Sequence, residues 1–207
     1  DENSTDARAW TPIGSDINQY TGTFDGNGYT ADKLTIDMPT QNEVGLFRSL
    51  ENAEIRNLTV GVNEIVGQNN VGALVGAIVV QNVNNKSDSA TVRIENCHAV
   101  ESEGGSGIVA TGSNVGGLIG AATRSKTGYG INDSSSSVTV SGYNAVGGLV
   151  GYCEQPVTNS YSTGAVNAEF RPSSDAVQVY PWIVNDSRPI TLNPLDSSGQ
   201  YGVGGVV

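Results

Sequence analysis

The chain has 207 residues with a net charge of -11, two cysteines, 27 glycines and only 15% charged residues. That charge repels nucleic acid and anionic membrane surfaces, and it keeps a protein soluble, so neither polymer nor bilayer is expected as a partner. No run reaches the ~20 apolar residues of a spanning helix, so membrane insertion by this chain is not expected. Cys97 and Cys153 are too few for a disulfide framework.

The first stretch, residues 10–36, reads as an opening unit. Trp10-Thr11-Pro12-Ile13-Gly14 precedes Tyr20-Thr21-Gly22-Thr23-Phe24-Asp25-Gly26-Asn27-Gly28-Tyr29. Asp25-Gly26-Asn27-Gly28 is tight-turn chemistry. Its alternating oxygens also resemble half of a calcium loop, but the bidentate Glu that closes such a loop is absent, so the turn is preferred. Ala31-Asp32-Lys33-Leu34-Thr35-Ile36 aligns with Ile55-Arg56-Asn57-Leu58-Thr59-Val60 at an offset of 24 residues, with Lys33 in the place of Asn57. Trp10 and Phe24 are the candidates to cover the exposed end.

The next stretch, residues 44–166, is built on a repeat. Val44-Gly45-Leu46-Phe47 is a short form of a hexapeptide that returns as Val71-Gly72-Ala73-Leu74-Val75-Gly76, Val115-Gly116-Gly117-Leu118-Ile119-Gly120 and Val146-Gly147-Gly148-Leu149-Val150-Gly151. The starts lie 27, 44 and 31 residues apart. Repeats of this length stack into one continuous body, here 1–207 as a single domain. Gly and β-branched residues crowd each repeat and no 3.6-residue apolar stripe survives, which excludes helices.

A second element follows each hexapeptide: Ile55-Arg56-Asn57-Leu58, Ile94-Glu95-Asn96-Cys97, Ile131-Asn132-Asp133-Ser134 and Val157-Thr158-Asn159-Ser160. In a straight strand its apolar residues would fall on both faces. A corner at Asn57, Asn96, Asp133 and Asn159 removes the conflict, because Asn and Asp tolerate left-handed backbone. Parity places these side chains at an inner corner, where stacked amides would form a structural ladder. The hexapeptide glycines, among them Gly72, Gly116, Gly117, Gly147 and Gly148, mark tight bends or close backbone approach. Leu118 and Val150 are expected inside. The fold class that follows is all-β: a parallel β-helix, a three-stranded solenoid of about 27–31 residues per coil, with loop insertions.

Three insertions interrupt the repeats. Residues 77–93 suggest a protruding hairpin, and 98–114 are small and Gly-rich. The third, 167–202, holds four of the seven prolines together with Phe170, Arg171, Tyr180, Trp182 and Arg188. Flat aromatic faces beside guanidinium donors suit a sugar or a protein partner, so these five are the candidate binding residues. The same composition would serve a loop packed on the body's flank. Residues 203–207, Val203-Gly204-Gly205-Val206-Val207, read as the start of a further coil, and the chain therefore as part of a longer protein or as one capped by another chain.

Taken together, the opening Trp10-Thr11-Pro12-Ile13-Gly14, the Gly22 to Tyr29 segment, the hexapeptides and Asn159-Ser160-Tyr161-Ser162-Thr163-Gly164 resemble the GLUG-repeat proteins. The resemblance covers about residues 10–166 and resumes at 203; Arg48, where the short repeat usually has Gly, departs from it. These are exported bacterial proteins, common in gut Bacteroidetes and in Gram-positive surface proteins, including the non-catalytic part of some immunoglobulin A proteases. The resemblance implies a right-handed β-helix carried on or outside the cell, and brings no catalytic residues with it.

Catalytic chemistry finds little footing. His98 is the single histidine, no Gly-x-Ser-x-Gly elbow accompanies it, and Cys97 points the other way along a strand. One His and two distant Cys make no zinc set, and no cofactor is expected. Glycoside hydrolysis needs two carboxylates flanking the bond, and Glu154, Glu169, Asp175 and Asp186 cannot be paired from sequence. No regular outward Thr-x-Thr array supports ice binding. The expected function is a non-enzymatic extracellular or cell-surface module, structural or adhesive, whose partner is a glycan or a protein. The alternative is a carbohydrate-active β-helix enzyme or a sugar-binding domain.

Overall fold

The computed structural model describes residues 9–15, 17–79, 91–123 and 128–168, together with the backbone of Val203–Gly204. Among them the chain forms strands and no helix: β1 (Tyr20–Asp25), β2 (Thr30–Asp37), β3 (Phe47–Gly67), β4 (Val75–Ile78), β5 (Arg93–Glu101), β6 (Gly107–Ala110), β7 (Ser113–Gly116), β8 (Ile119–Ala122) and β9 (Gly130–Asn132). Then come β10 (Ser135–Ser136), β11 (Val140–Gly142), β12 (Asn144–Gly147), β13 (Val150–Cys153), β14 (Val157–Thr158), β15 (Tyr161–Ser162), β16 (Val166–Ala168) and β17 (Val203–Gly204).

Every pairing among the described strands is parallel, and most belong to one 14-stranded sheet. The sheet is curled, and β3 shows how. This strand of 21 residues turns at Asn52 (φ 50°) and Asn57 (φ 54°) without losing its partners. Its start pairs with β4, its middle with β5 and its end with β6, while β1 and β2 run along its other edge. A left-handed residue rotates the strand direction, so one continuous strand contributes to successive facets of the curl.

The inward positions stack in columns. Phe24, Ile55, Ile94, Ile131 and Val157 lie in register, as do Ile36, Ile65, Ile108, Val140 and Val166. Val75, Ile119 and Val150 continue a third column from Phe47. The middle members are fully buried, as are Leu118 and Leu149. Each such side chain contributes roughly 1.5–3 kcal/mol relative to exposure, which makes the inner columns the main source of cohesion between layers.

The hexapeptide glycines are explained by these contacts. A Cβ on Gly72, Gly116 or Gly147 would collide with the carbonyl oxygen three residues on, at Val75, Ile119 and Val150. One on Gly76, Gly120 or Gly151 would strike the backbone of Glu43, Asn70 or Asn114 in the adjoining segment. At Gly117 it would meet the Ser136 hydroxyl and the Gly148 carbonyl. Gly148 itself is buried. Glycine is needed here for close backbone approach.

Three expectations change. The opening stretch does not stack as aligned: Phe24 and Asp25 lie under Ile55 and Arg56, and Ile36 lies under Ile65. Lys33 does adopt a left-handed backbone (φ 57°), but at a register irregularity of β2 rather than below Asn57. Apolar spacing alone fitted either register, and the Asp25–Gly28 turn decides between them by taking Gly26 and Gly28 onto the Arg56 and Asn57 carbonyls at 2.8 Å each. Second, residues 98–114 are no insertion: they supply the end of β5, all of β6 and the first part of β7, in register with β3, β11 and β12. Small residues there reflect tight stacking. Third, the two aromatics at the first layer differ in role. Phe24 packs edge-on against Phe47 with centroids 5.5 Å apart. Trp10 is 40% exposed and ties its indole N–H to the Leu46 carbonyl at 3.2 Å. Of the expected 77–93 hairpin, residues 80–90 lie outside the described residues.

Candidate functional site

The corner positions are left-handed, as their residue types predict: Asn57 (φ 54°), Asn96 (φ 51°), Asp133 (φ 48°) and Asn159 (φ 50°). Their side chains face the other way from the expectation. Asn57 is half-buried and Asn96, Asp133 and Asn159 are exposed. The left-handed step sends the following residue inward instead, so Leu58, Cys97 and Ser134 are buried and the corner side chain stays on the outer surface. An outward ladder is a candidate surface, which an inward one would not be.

Its bonds run in one direction. Asn57 donates its amide to Asp25 Oδ1 at 3.0 Å, and Asn96 donates to Asn57 Oδ1 at 2.9 Å. Asn96 Oδ1 therefore accepts, and its partner at 3.1 Å is His98 Nε2, which must carry a proton. In the neutral ring His98 Nδ1 then accepts from the Ser135 hydroxyl at 2.9 Å. The chain reads Ser135 to His98 to Asn96 to Asn57 to Asp25. The Asn57 amide, the Asn27 backbone N–H and Arg56 together lower the Asp25 carboxyl from the usual 3.8 to about 2. Asp25 is thus tied into the ladder, with Arg56 Nε at 2.9 Å on its second oxygen.

Sequence reasoning placed His98 beside no nucleophile, yet Ser135 lies within hydrogen-bond reach. The missing information was register: β10 runs alongside β5 with Ser135 opposite His98. The outer row continues through Thr59 on one side and Tyr161 on the other. Tyr161 is 59% exposed. The neighbouring row holds Asp25, Arg56, Glu95, Asn132 and Thr158. Arg56 also holds Glu54 at 2.9 Å, and Arg93 lies over the Tyr129 ring at 5.8 Å. Asp133 and Asn159 sit at the end of the ladder with no side-chain partner among the described residues.

A second ladder follows the other corner, at Glu43, Asn70, Asn114 and Ala145, all with positive φ. Asn114 donates to Asn70 Oδ1 at 2.8 Å, and Asn69 donates to Asn42 at 2.8 Å. Both cysteines are free thiols; burial pushes Cys97 up to about 11 and raises Cys153 as well. Phe170, Arg171, Tyr180, Trp182 and Arg188, the binding residues expected from the sequence, lie outside the described residues. Among the described residues no three or more His, Cys, Asp or Glu gather as a metal set.

No family model matches this chain. Part of it is similar to halomucin of Haloquadratum walsbyi, at 38% identity over 93 residues, which is 40% of this chain and 1% of that protein. Part is similar to a putative Gly-rich membrane protein of Evansella cellulosilytica, at 35% identity over 74 residues, 35% of this chain and 8% of that protein. The chain thus spans only a small fraction of either relative. No solved structure matches it.

Proposed function

We propose that this chain is a right-handed parallel β-helix of the GLUG-repeat type, serving as a non-enzymatic extracellular or cell-surface module that is structural or adhesive. The observation that carries the reading is what the repeat is used for. Its valines and leucines go to the inner columns, its glycines to backbone approach and its asparagines to the corners, in the same register from layer to layer. A body of that kind gains length by a fixed step per layer and presents one extended face, which suits a spacer or a repeated contact. The partial similarity to a putative Gly-rich membrane protein favours a place at the cell envelope.

Two measurements test this. Antibody against the chain should label intact source cells, and trypsin applied outside should remove the signal. The purified protein should release no reducing sugar from a panel of polysaccharides. Labelling that requires lysis refutes the location. Polysaccharide turnover that is lost on replacing Glu154 turns the protein into the carbohydrate-active alternative.

A further inference from the structure

We infer that Asp133, Ser135, Asn159 and Tyr161, at the open end of the outer ladder, form a binding site for a neutral polysaccharide. The inference rests on the adhesive form of the surface reading, and names the ligand class and the residues. Nearer the start of the chain the ladder is closed on itself: Asp25, Asn57, Asn96 and His98 use their hydrogen-bonding atoms on one another. Among the described residues that pairing stops at Asp133 and Asn159. The two corners are stacked, since the Asp133 backbone N–H donates to the Thr158 carbonyl at 3.1 Å and Asn132 pairs with Thr158. Their side chains therefore leave the surface about 4.8 Å apart, one strand spacing. A carboxylate accepts two hydroxyl hydrogens, and a primary amide both donates and accepts. At that spacing the pair can bracket two hydroxyls of one sugar ring.

The adjoining row supplies the rest. With the imidazole neutral, the Ser135 hydroxyl donates to His98 Nδ1 at 2.9 Å, which leaves its oxygen able to accept. Tyr161 is directly in register with Ser135 and is 59% exposed. An aromatic ring beside convergent polar groups gives the C–H face of a sugar an apolar platform. All four residues stand on or beside parallel strands, so little ordering is required on binding.

Charge narrows the ligand. Among the described residues of this face Arg56 is engaged by Asp25 and Glu54 and Arg93 by the Tyr129 ring, and the chain carries -11 overall. An acidic polysaccharide would meet Asp133 and a repelling field. A neutral one can give hydroxyl hydrogens to Asp133 and meets no repulsion.

The test is affinity electrophoresis of the whole chain through gels containing hydroxyethylcellulose, galactomannan, arabinoxylan or dextran, with alginate as the anionic control. Retardation is expected in at least one neutral gel and not in alginate. Tyr161→Ala should weaken the binding about tenfold or more, and Asn159→Gly, which preserves the corner backbone, should weaken it as well. Circular dichroism and an unchanged melting temperature establish that each variant is folded. Tyr29→Ala, which removes an exposed aromatic beside the opening turn, should bind normally. Three results overturn the inference: no retardation in any neutral gel, retardation by alginate alone, or binding that survives Tyr161→Ala unchanged. None of these touches the labelling of intact cells, so the surface reading and the site fail separately.

Discussion

Replacing Ala145 by glycine or by asparagine is expected to stabilise the protein. Ala145 occupies the second corner column with φ 50°, where the preceding layers have Asn70 (φ 56°) and Asn114 (φ 62°). A left-handed backbone costs an L-residue roughly 1–2 kcal/mol. Glycine removes that strain but returns about 0.4–1 kcal/mol through the freedom of the unfolded chain. The net gain expected for Ala145→Gly is therefore about 0.5–1 kcal/mol. Asparagine tolerates the conformation and adds a ladder bond. Asn144 and Val146 lie in register with Ser113 and Val115, so position 145 stacks on Asn114, whose amide already donates to Asn70. One such bond is worth about 0.5–1.5 kcal/mol net, so Ala145→Asn should gain about 1 kcal/mol or more. For a chain of this size each kcal/mol moves the melting temperature by about 2–4 °C.

Thermal melts followed by circular dichroism read the effect, with Ala145→Val as the control. A β-branched residue is a poor fit to left-handed backbone, so valine should melt below the parent. The ladder contribution is isolated by repeating the Asn–Gly comparison in an Asn114→Gly background, where the advantage of asparagine should vanish. If glycine, valine and alanine at 145 melt together, the strain is not there. If asparagine keeps its advantage without Asn114, the bond is not the cause.

Gly120→Ala should cost about 1–3 kcal/mol, because the new Cβ overlaps the Asn70 carbonyl carbon and the Val71 nitrogen, and backbone cannot yield as a side chain can; a melting temperature within 1 °C of the parent would refute the close-approach explanation. The depressed Asp25 carboxyl, at about 2 in the fold, favours the folded state at pH values above its unfolded pKa, and that contribution is lost as pH falls from about 4 towards 2. Acid titrations of stability should therefore be steeper in that window for the parent than for Asp25→Asn, and equal slopes would show the ladder does not hold this carboxylate. Cys97, buried and with its thiol pushed up to about 11, should not react with Ellman's reagent at pH 8 until the protein is unfolded. Prompt reaction of Cys97 in the native protein would refute its placement in the inner column.

Much of the candidate surface was legible one residue at a time. Asn57, Asn96, Asp133 and Asn159 announce corners because left-handed backbone selects their side chains, a preference settled within a few bonds. Which way those corners face is not legible there, since parity on a straight strand fails once the corner itself rotates the chain. His98 and Ser135 were both visible, but their 2.9 Å contact depends on pairing two strands whose members lie 37 residues apart.

By itself, then, the sequence determined what is local: the all-β class from its β-branched and glycine content, the left-handed corners, and the glycines where chain meets chain. The tertiary structure decided everything that depends on register. It set Phe24 rather than Ala31 beneath Ile55, drew residues 98–114 into the sheet, turned the ladder outward and left Asp133 and Asn159 without a side-chain partner among the described residues. The physical reason is range. Backbone sterics act within a residue or two, whereas a parallel pairing is chosen by the summed burial of whole columns, and several registers fit the same short apolar pattern until all the layers are stacked.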